Sequence, residues 1–114
     1  MKTRYVLLFI CFAVFTGSTT LAVVNRGAEE ITLDGGKKGK VEFPHREHHE
    51  TLEQKCKTCH DLFPQQPGII NDLKKKGKLK KKQVMKTKCL KCHKARKKAG
   101  KDAGPVKCKG CHIK

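Results

Sequence analysis

The sequence is short of the residues that ordinarily build a protein core. It has no Trp and a single Tyr among 114 residues, and its aromatic content is 5%. That Tyr and three of the five Phe fall within the first 22 residues, which leaves Phe43 and Phe63 as the aromatic side chains of the remainder. A chain of this size has difficulty burying enough apolar surface to offset the conformational entropy lost on folding. We therefore expect a core supplied largely by something other than side chains.

The first 22 residues have the pattern of an export signal. Lys2 and Arg4 precede an apolar run over residues 5–15, and small residues around Ala22 offer a cleavage point. A membrane anchor is the competing interpretation, but the run is shorter than the ~18 apolar residues expected of a spanning helix. We predict a signal peptide over residues 1–22, cleaved near Ala22, and one domain over residues 23–114, exported to the periplasm without stable membrane insertion.

Beyond this signal, cysteine occurs only in a repeated motif. Of the seven Cys, Cys11 lies in the predicted signal, and the other six form C-x-x-C-H units at residues 56–60, 89–93 and 108–112. Two thiols three residues apart lie on one face of a helical turn, and the histidine follows on the same face. This is the attachment signature of c-type haem, in which the thiols bind the two vinyl groups and the imidazole reaches the iron. No cysteine is left for a disulfide or a thiol nucleophile.

Three covalent haems therefore explain both the motif and the missing core, and we expect the apoprotein to be largely unfolded. Zinc on paired C-x-x-C units and a three-disulfide secreted scaffold are the alternatives, yet three copies that each carry a histidine favour haem. The attachment thiols are those of Cys56, Cys59, Cys89, Cys92, Cys108 and Cys111. The proximal iron ligands are His60, His93 and His112.

Each iron needs a second axial ligand, and the chain offers few. The histidines outside the three units are His45, His48 and His49, so simple counting would make every iron bis-histidine. Met85 is a rival ligand, because it is the one methionine beyond the signal and stands four residues before Cys89. The spacing of His45 and His48 places both on one side of a helical turn. Counting alone leaves the third position open between His49, Met85 and an unfilled site.

Short elements are predicted around these motifs. Alternating apolar and polar residues at 31–33 and 40–43 flank a turn-rich linker and indicate a small β-hairpin ended by Pro44. Asn71 or Asp72 is expected to cap a helix through the lysine-rich stretch that follows. Two glycines are expected to interrupt helices: Gly77 in that stretch, and Gly100 after a helix over residues 94–99.

Residues 43–48, Phe-Pro-His-Arg-Glu-His, followed by three spaced C-x-x-C-H units, closely resemble the triheme cytochromes c7. These are small periplasmic members of the class III, c3-like cytochromes of metal- and sulfur-reducing bacteria, and the resemblance covers residues 29–114. It implies a small, mostly α-helical, haem-cored domain with an N-terminal two-stranded β-hairpin and little other regular structure. The linkers between the haem units look longer than is typical of that family.

The resemblance also implies which residues share an iron. The third distal ligand of the family comes from four residues before the second unit, and that position is Met85 here. His49, or an iron left open or water-bound, remains the alternative for the third haem. The implied pairs are His45 with His60, His48 with His93, and Met85 with His112.

Charge is strongly positive and unevenly spread. The chain carries a formal +17, and residues 74–98 contain fourteen Lys or Arg and no acid. Such a run is often only a solvated face. It would also attract acidic redox partner proteins, among which inner-membrane and outer-membrane cytochromes are candidates, together with humic-type or metal acceptors. Export makes nucleic acid a poor partner for this charge.

The expected function is electron transfer by a monomer, and we do not expect an enzyme. Irons whose two axial positions are both filled by protein have no vacancy for a substrate, so we predict a carrier in anaerobic respiration to extracellular or metal acceptors. Met ligation would make the third haem the one of highest potential. The alternative is a multihaem reductase whose third iron is open and reduces a metal oxyanion or a similar small acceptor.

Overall fold

A computed structural model describes residues 26–114, so the predicted signal over residues 1–22 and its cleavage point lie outside the described residues. The strands are β1 (Ile31–Leu33), β2 (Lys40–Phe43) and β3 (His112–Ile113). The α-helices are α1 (His45–Thr51), α2 (Lys57–His60), α3 (Ile69–Lys75), α4 (Leu90–Lys98) and α5 (Cys108–Cys111). A 3-10 turn spans Gly36–Lys38, and a π-helical segment spans Met85–Cys89. No helix in this part of the chain is both long enough and apolar enough to cross a bilayer.

The predicted hairpin is present, but it is not the whole sheet. β1 and β2 pair antiparallel, and Val41 of β2 lies opposite Leu33 of β1. On the other edge of β2, Val41 lies opposite His112 of β3, so the sheet has three antiparallel strands in the order β1-β2-β3. The predicted two-stranded hairpin is therefore confirmed, and β3 adds a third strand that the sequence did not predict. A free strand edge readily accepts another strand, and His112–Ile113 is too short to show a strand pattern in the sequence.

Pro44 ends β2 as predicted, and α1 begins at the next residue. The Arg46 amide of α1 donates a hydrogen bond to the Glu29 carbonyl, 3.0 Å away, in the segment that precedes β1. This bond fixes the first turn of α1 against the start of the hairpin. The two histidines of α1 that carry the ligand prediction are held in that turn.

The lysine-rich stretch contains α3, whose start differs from the prediction. Gly68 precedes the helix with φ 71°, a left-handed conformation that glycine adopts without strain. Asn71 and Asp72 consequently lie inside α3 instead of capping it. The predicted interruption at Gly77 is confirmed, because that residue has φ 70° just beyond the helix.

The helix of the second C-x-x-C-H unit is irregular in a way that the sequence did not signal. Over Met85–Cys89 its hydrogen bonds run from residue i to i+5, as when the Leu90 amide donates to the Met85 carbonyl. Regular α4 follows and ends at Lys98, and Gly100 comes after it with φ 67°, as predicted. Such π segments inside helices occur frequently at functional sites.

Side chains alone make almost no core in the described part of the chain. Leu79, 5% exposed, is the one buried hydrophobic residue there, and no polar or charged residue of that part is buried. Leu79 lies among lysines, and its amide donates to the Leu73 carbonyl of α3 at 3.1 Å. The lysine-rich stretch is therefore anchored at this point. The small apolar interior agrees with the expectation that another group fills the centre of the domain.

Candidate functional site

Each C-x-x-C-H unit places its two thiols on one helical turn. α2 carries the first unit with Cys56 as its N-cap, and α4 carries the second with Cys89 at the end of the π segment. The third unit differs, because α5 ends at Cys111 and His112 takes an extended conformation at φ −96°, ψ 128°. Its histidine thus belongs to β3, whereas the histidines of the first two units remain helical.

The thiols face inward to different degrees. Cys56 and Cys108 are exposed, and the other four are half-buried. Burial raises the pKa of the Cys59, Cys89 and Cys111 thiols. Cys89 lies near enough to Cys59 and Cys111 for their charges to raise its pKa further, so one thiol of each unit lies in the same part of the domain. A raised pKa keeps a thiol protonated and weakly reactive, which fits a structural attachment point better than a nucleophile.

Two histidine pairs meet across gaps of similar width. The ring centres of His45 and His60 are 6.3 Å apart, and those of His48 and His93 are 6.0 Å apart. An iron held between two imidazoles needs about 6 Å between ring centres, because a metal–nitrogen bond is about 2.0 Å and each ring centre lies about 1.1 Å behind its nitrogen. Both gaps are therefore wide enough for a metal ion to be held between the two rings.

Five histidines have their Nδ1 atoms occupied by backbone. A carbonyl oxygen can only accept, so Nδ1–H must be the donor in each bond, and Nε2 is left with a free lone pair for a metal. Four bonds are made by His45 to Ala28 O (2.9 Å), His48 to Pro44 O (2.9 Å), His60 to Phe63 O (3.2 Å) and His93 to Pro105 O (2.8 Å). The fifth joins His112 to Gly39 O at 3.1 Å.

His49 stands apart from these five. Its Nδ1 atom is buried and has no hydrogen-bond partner among the described residues. It therefore lacks the bond that fixes the tautomer and ring orientation of a metal-binding imidazole. Met85, the rival candidate, is half-buried at the start of the π segment.

Two glycines give room to the histidines of the second and third C-x-x-C-H units. A Cβ at Gly104 would lie 2.7 Å from Nε2 and 2.9 Å from Nδ1 of His93, closer than real Cβ atoms approach. A Cβ at Gly35 would likewise collide with the His112 ring and the Gly39 carbonyl. Sequence reasoning missed both positions, and the available signal was only that each lies in a turn-rich segment next to another turn residue.

One aromatic side chain and one ion pair lie next to these histidines and C-x-x-C-H units. The Phe43 ring packs against His48 with 4.3 Å between centres and lies 6.0 Å from the centre of His45. Asp61, next to the first unit, forms an ion pair with Lys88, next to the second unit. The Lys88 ammonium lowers the pKa of the Asp61 carboxyl, chiefly through this hydrogen bond.

Comparison with known proteins shows the family of a chain with these three C-x-x-C-H units. The sequence model of the family described as cytochrome c7 and related cytochrome c matches residues 41–113. The chain belongs to the cytochrome c7 family. It is 37% identical over 87 residues to a protein named cytochrome c3 from Desulfuromonas acetoxidans, which covers 76% of this chain and all of that protein. The same identity and length relate it to a cytochrome c7 of Geobacter metallireducens (strain ATCC 53774 / DSM 7210 / GS-15), 78% of which is covered.

Solved structures of cytochrome c7 from Desulfuromonas acetoxidans are also similar to the chain. One is 34% identical with a TM-score of 0.42, and a fully oxidized double mutant in solution is 33% identical with a TM-score of 0.45. Both alignments cover 76% of this chain and all of the other. As a cytochrome c7, the protein is a multihaem electron-transfer protein with three c-type haems, and its three pairs of cysteines have the required spacing. The predicted family, fold class and cofactors are confirmed.

Proposed function

We propose that this cytochrome c7 is a monomeric periplasmic electron carrier of anaerobic respiration, with a signal over residues 1–22 and a haem domain over residues 23–114. The ligand pairs in this proposal are His45 with His60, His48 with His93, and Met85 with His112. The attachment residues are Cys56, Cys59, Cys89, Cys92, Cys108 and Cys111. The observation that carries the proposal is the spacing of two histidine pairs, 6.3 Å and 6.0 Å between ring centres.

The residues of the chain orient the imidazoles. Backbone carbonyls hold five imidazoles by Nδ1 and leave Nε2 available to a metal, and the Phe43 ring packs against His48. Each haem, when bound, supplies a ferric/ferrous couple that takes up or releases one electron. With both axial sides filled by protein, no position is left for a substrate, which favours a carrier over a reductase.

The contrast between His49 and the other histidines supports Met85 as the third distal ligand. Five imidazoles have an orienting carbonyl, whereas Nδ1 of His49 is buried without a partner among the described residues. The Met85 thioether is a soft ligand that stabilises ferrous iron relative to a second imidazole. We therefore propose that the Met85 and His112 site has the highest potential of the three.

The partners that we propose are acidic redox proteins, with inner-membrane and outer-membrane cytochromes as the donor and acceptor classes and humic-type or metal acceptors as further candidates. The supporting observation is the run of residues 74–98, whose lysines are mostly exposed. Exposed charge of one sign accelerates encounter with a partner of opposite charge, and salt screens this effect. Transfer rates should accordingly fall steeply as ionic strength rises.

One set of measurements on the purified holoprotein tests the proposal. We expect a mass that includes three haems, a ferric electron paramagnetic resonance spectrum that is entirely low-spin, and an absorption near the red edge of the visible range from thioether–iron bonding. A high-spin signal from one haem would contradict the carrier and favour a reductase with an open third iron. Bis-histidine spectra for all three haems would contradict Met85 as a ligand and leave the carrier intact.

A further inference from the structure

One ion pair connects the first haem unit with the second. The Lys88 ammonium contacts the Asp61 carboxylate, and these residues stand directly beside His60 and Cys89 in the sequence. The two other ion pairs of the described residues, Lys40 with Glu42 and Lys55 with Glu53, each join residues only two positions apart. The Lys88 pair is thus the one among the described residues that spans two units.

The two partners differ in their exposure to solvent. The Lys88 side chain is 18% exposed, whereas that of Asp61 is 57% exposed. Water and salt screen an exposed charge far more than a partly buried one, so the negative charge of Asp61 is weakened more than the positive charge of Lys88. The Lys88 charge is therefore the less screened of the two.

Lys88 is connected to the first attachment site through Asp61. The Lys88 ammonium contacts the carboxylate of the residue that directly follows His60, and its charge also opposes the effect of burial on the pKa of the Cys59 thiol. Lysines usually extend their ammonium groups into water. Lys88 instead turns inward from the π segment, and the neighbouring Lys86 of the same segment is exposed.

We propose that Lys88 sets the potential of the haem attached through Cys56 and Cys59, and with it the order in which the haems are reduced. A haem gains one negative charge on reduction, so a nearby, weakly screened positive charge stabilises the reduced form. The proposal rests on the electron-transfer function and adds a residue that tunes it. Lys88 touches no iron-binding atom and acts through its charge and its contact with Asp61.

The test is a redox titration of the holoprotein followed by NMR, which resolves the haems individually. Lys88→Gln should make the midpoint potential of the first haem more negative, and this shift should be larger than the shifts of the second and third haems. Lys88→Arg keeps the charge and should restore the original midpoint. Lys86→Gln removes an equal charge from an exposed position two residues away and should leave the first haem unchanged, especially at high salt.

The possible outcomes distinguish failure of the role of Lys88 from failure of the electron-transfer function on which it rests. An unchanged first-haem midpoint in Lys88→Gln, or equal shifts in Lys88→Gln and Lys86→Gln, would overturn the role of Lys88 while the protein still cycles. Failure of the unaltered protein to cycle between ferric and ferrous states would overturn electron transfer itself. If Lys88→Gln does not incorporate three haems, Lys88→Met retains an apolar stem without the charge. The midpoint potential of its first haem then tests the same loss of charge.

Discussion

His48 and His93 face each other with 6.0 Å between ring centres and 31° between ring planes, although one stands in α1 and the other in α4. Each has its Nδ1 atom bound to a proline carbonyl, Pro44 for His48 and Pro105 for His93. A carbonyl of this kind fixes the ring before a metal arrives and makes its other nitrogen the ligand. The effect of substitutions near these histidines should therefore depend on whether the ring, its carbonyl partner or the neighbouring backbone is changed.

Removal of His48 should open one iron. His48→Ala deletes the imidazole that we propose as the distal ligand of the second haem, so we expect a high-spin ferric signal from one haem and new binding of added imidazole. His49→Ala is the matched control, because it removes the adjacent histidine, which has no orienting carbonyl. Electron paramagnetic resonance of both variants checks the prediction. A high-spin signal in His49→Ala, with His48→Ala unaffected, would reverse the assignment.

Replacement of Met85 should lower one potential. Met85→His substitutes a harder imidazole for a thioether, which favours ferric iron, so the midpoint of the third haem should become more negative while the other two change less. The absorption near the red edge of the visible range should disappear at the same time. Spectroelectrochemical titration measures both effects. Retention of that band in Met85→His would rule out the thioether as its source.

A methyl group at residue 104 should disturb the second haem. The Cβ introduced by Gly104→Ala would overlap the His93 ring, so the ring or the loop must move. We expect a loss of about 1–3 kcal/mol in the free energy of unfolding, the usual cost of overpacking. A shift in the midpoint of the second haem should accompany it. Ala103→Ser, in the adjacent and exposed position, should leave both quantities unchanged in denaturation and redox titrations.

Loss of the Leu79 side chain should weaken the lysine-rich stretch. Leu79 is 5% exposed, and truncation of a buried leucine to alanine costs about 2–5 kcal/mol. The control is Ile113→Ala, since Ile113 is 47% exposed and loses less burial. Denaturant unfolding of the holoprotein compares the two. A smaller effect for Leu79→Ala than for Ile113→Ala would mean that residues 74–82 are only a solvated face.

Local sequence patterns predicted which strands and helices form better than they predicted where those elements begin and end. The hairpin strands, the break at Gly77 and the end of the helix before Gly100 follow from alternation and from glycine, which act over a few residues. The start of α3 was misplaced because Gly68 turns the chain just before the helix, and this left Asn71 and Asp72 inside it. The third strand escaped notice because its stability comes from the edge of β2.

The residues of the candidate site were likewise predictable from the sequence only in part. Attachment thiols and proximal histidines are fixed by covalent spacing within five residues, so the motif was sufficient to predict them. The pairing of distal and proximal histidines came from family resemblance, since no local spacing relates His45 to His60. The glycines behind His93 and His112 gave no sequence signal that separates them from ordinary turn glycines.

The sequence by itself determined how many haems the protein carries, which thiols attach them and how little apolar core the chain can provide. These properties depend on motif spacing and composition, which do not change with the path of the backbone. Only the tertiary structure decided which histidines face each other, which carbonyls orient them and which of fourteen basic residues between 74 and 98 is drawn inward beside Asp61. The facing rings, the ion pair and the bonds to the Ala28, Gly39 and Pro105 carbonyls join residues distant in the chain, and such contacts exist only once those segments meet.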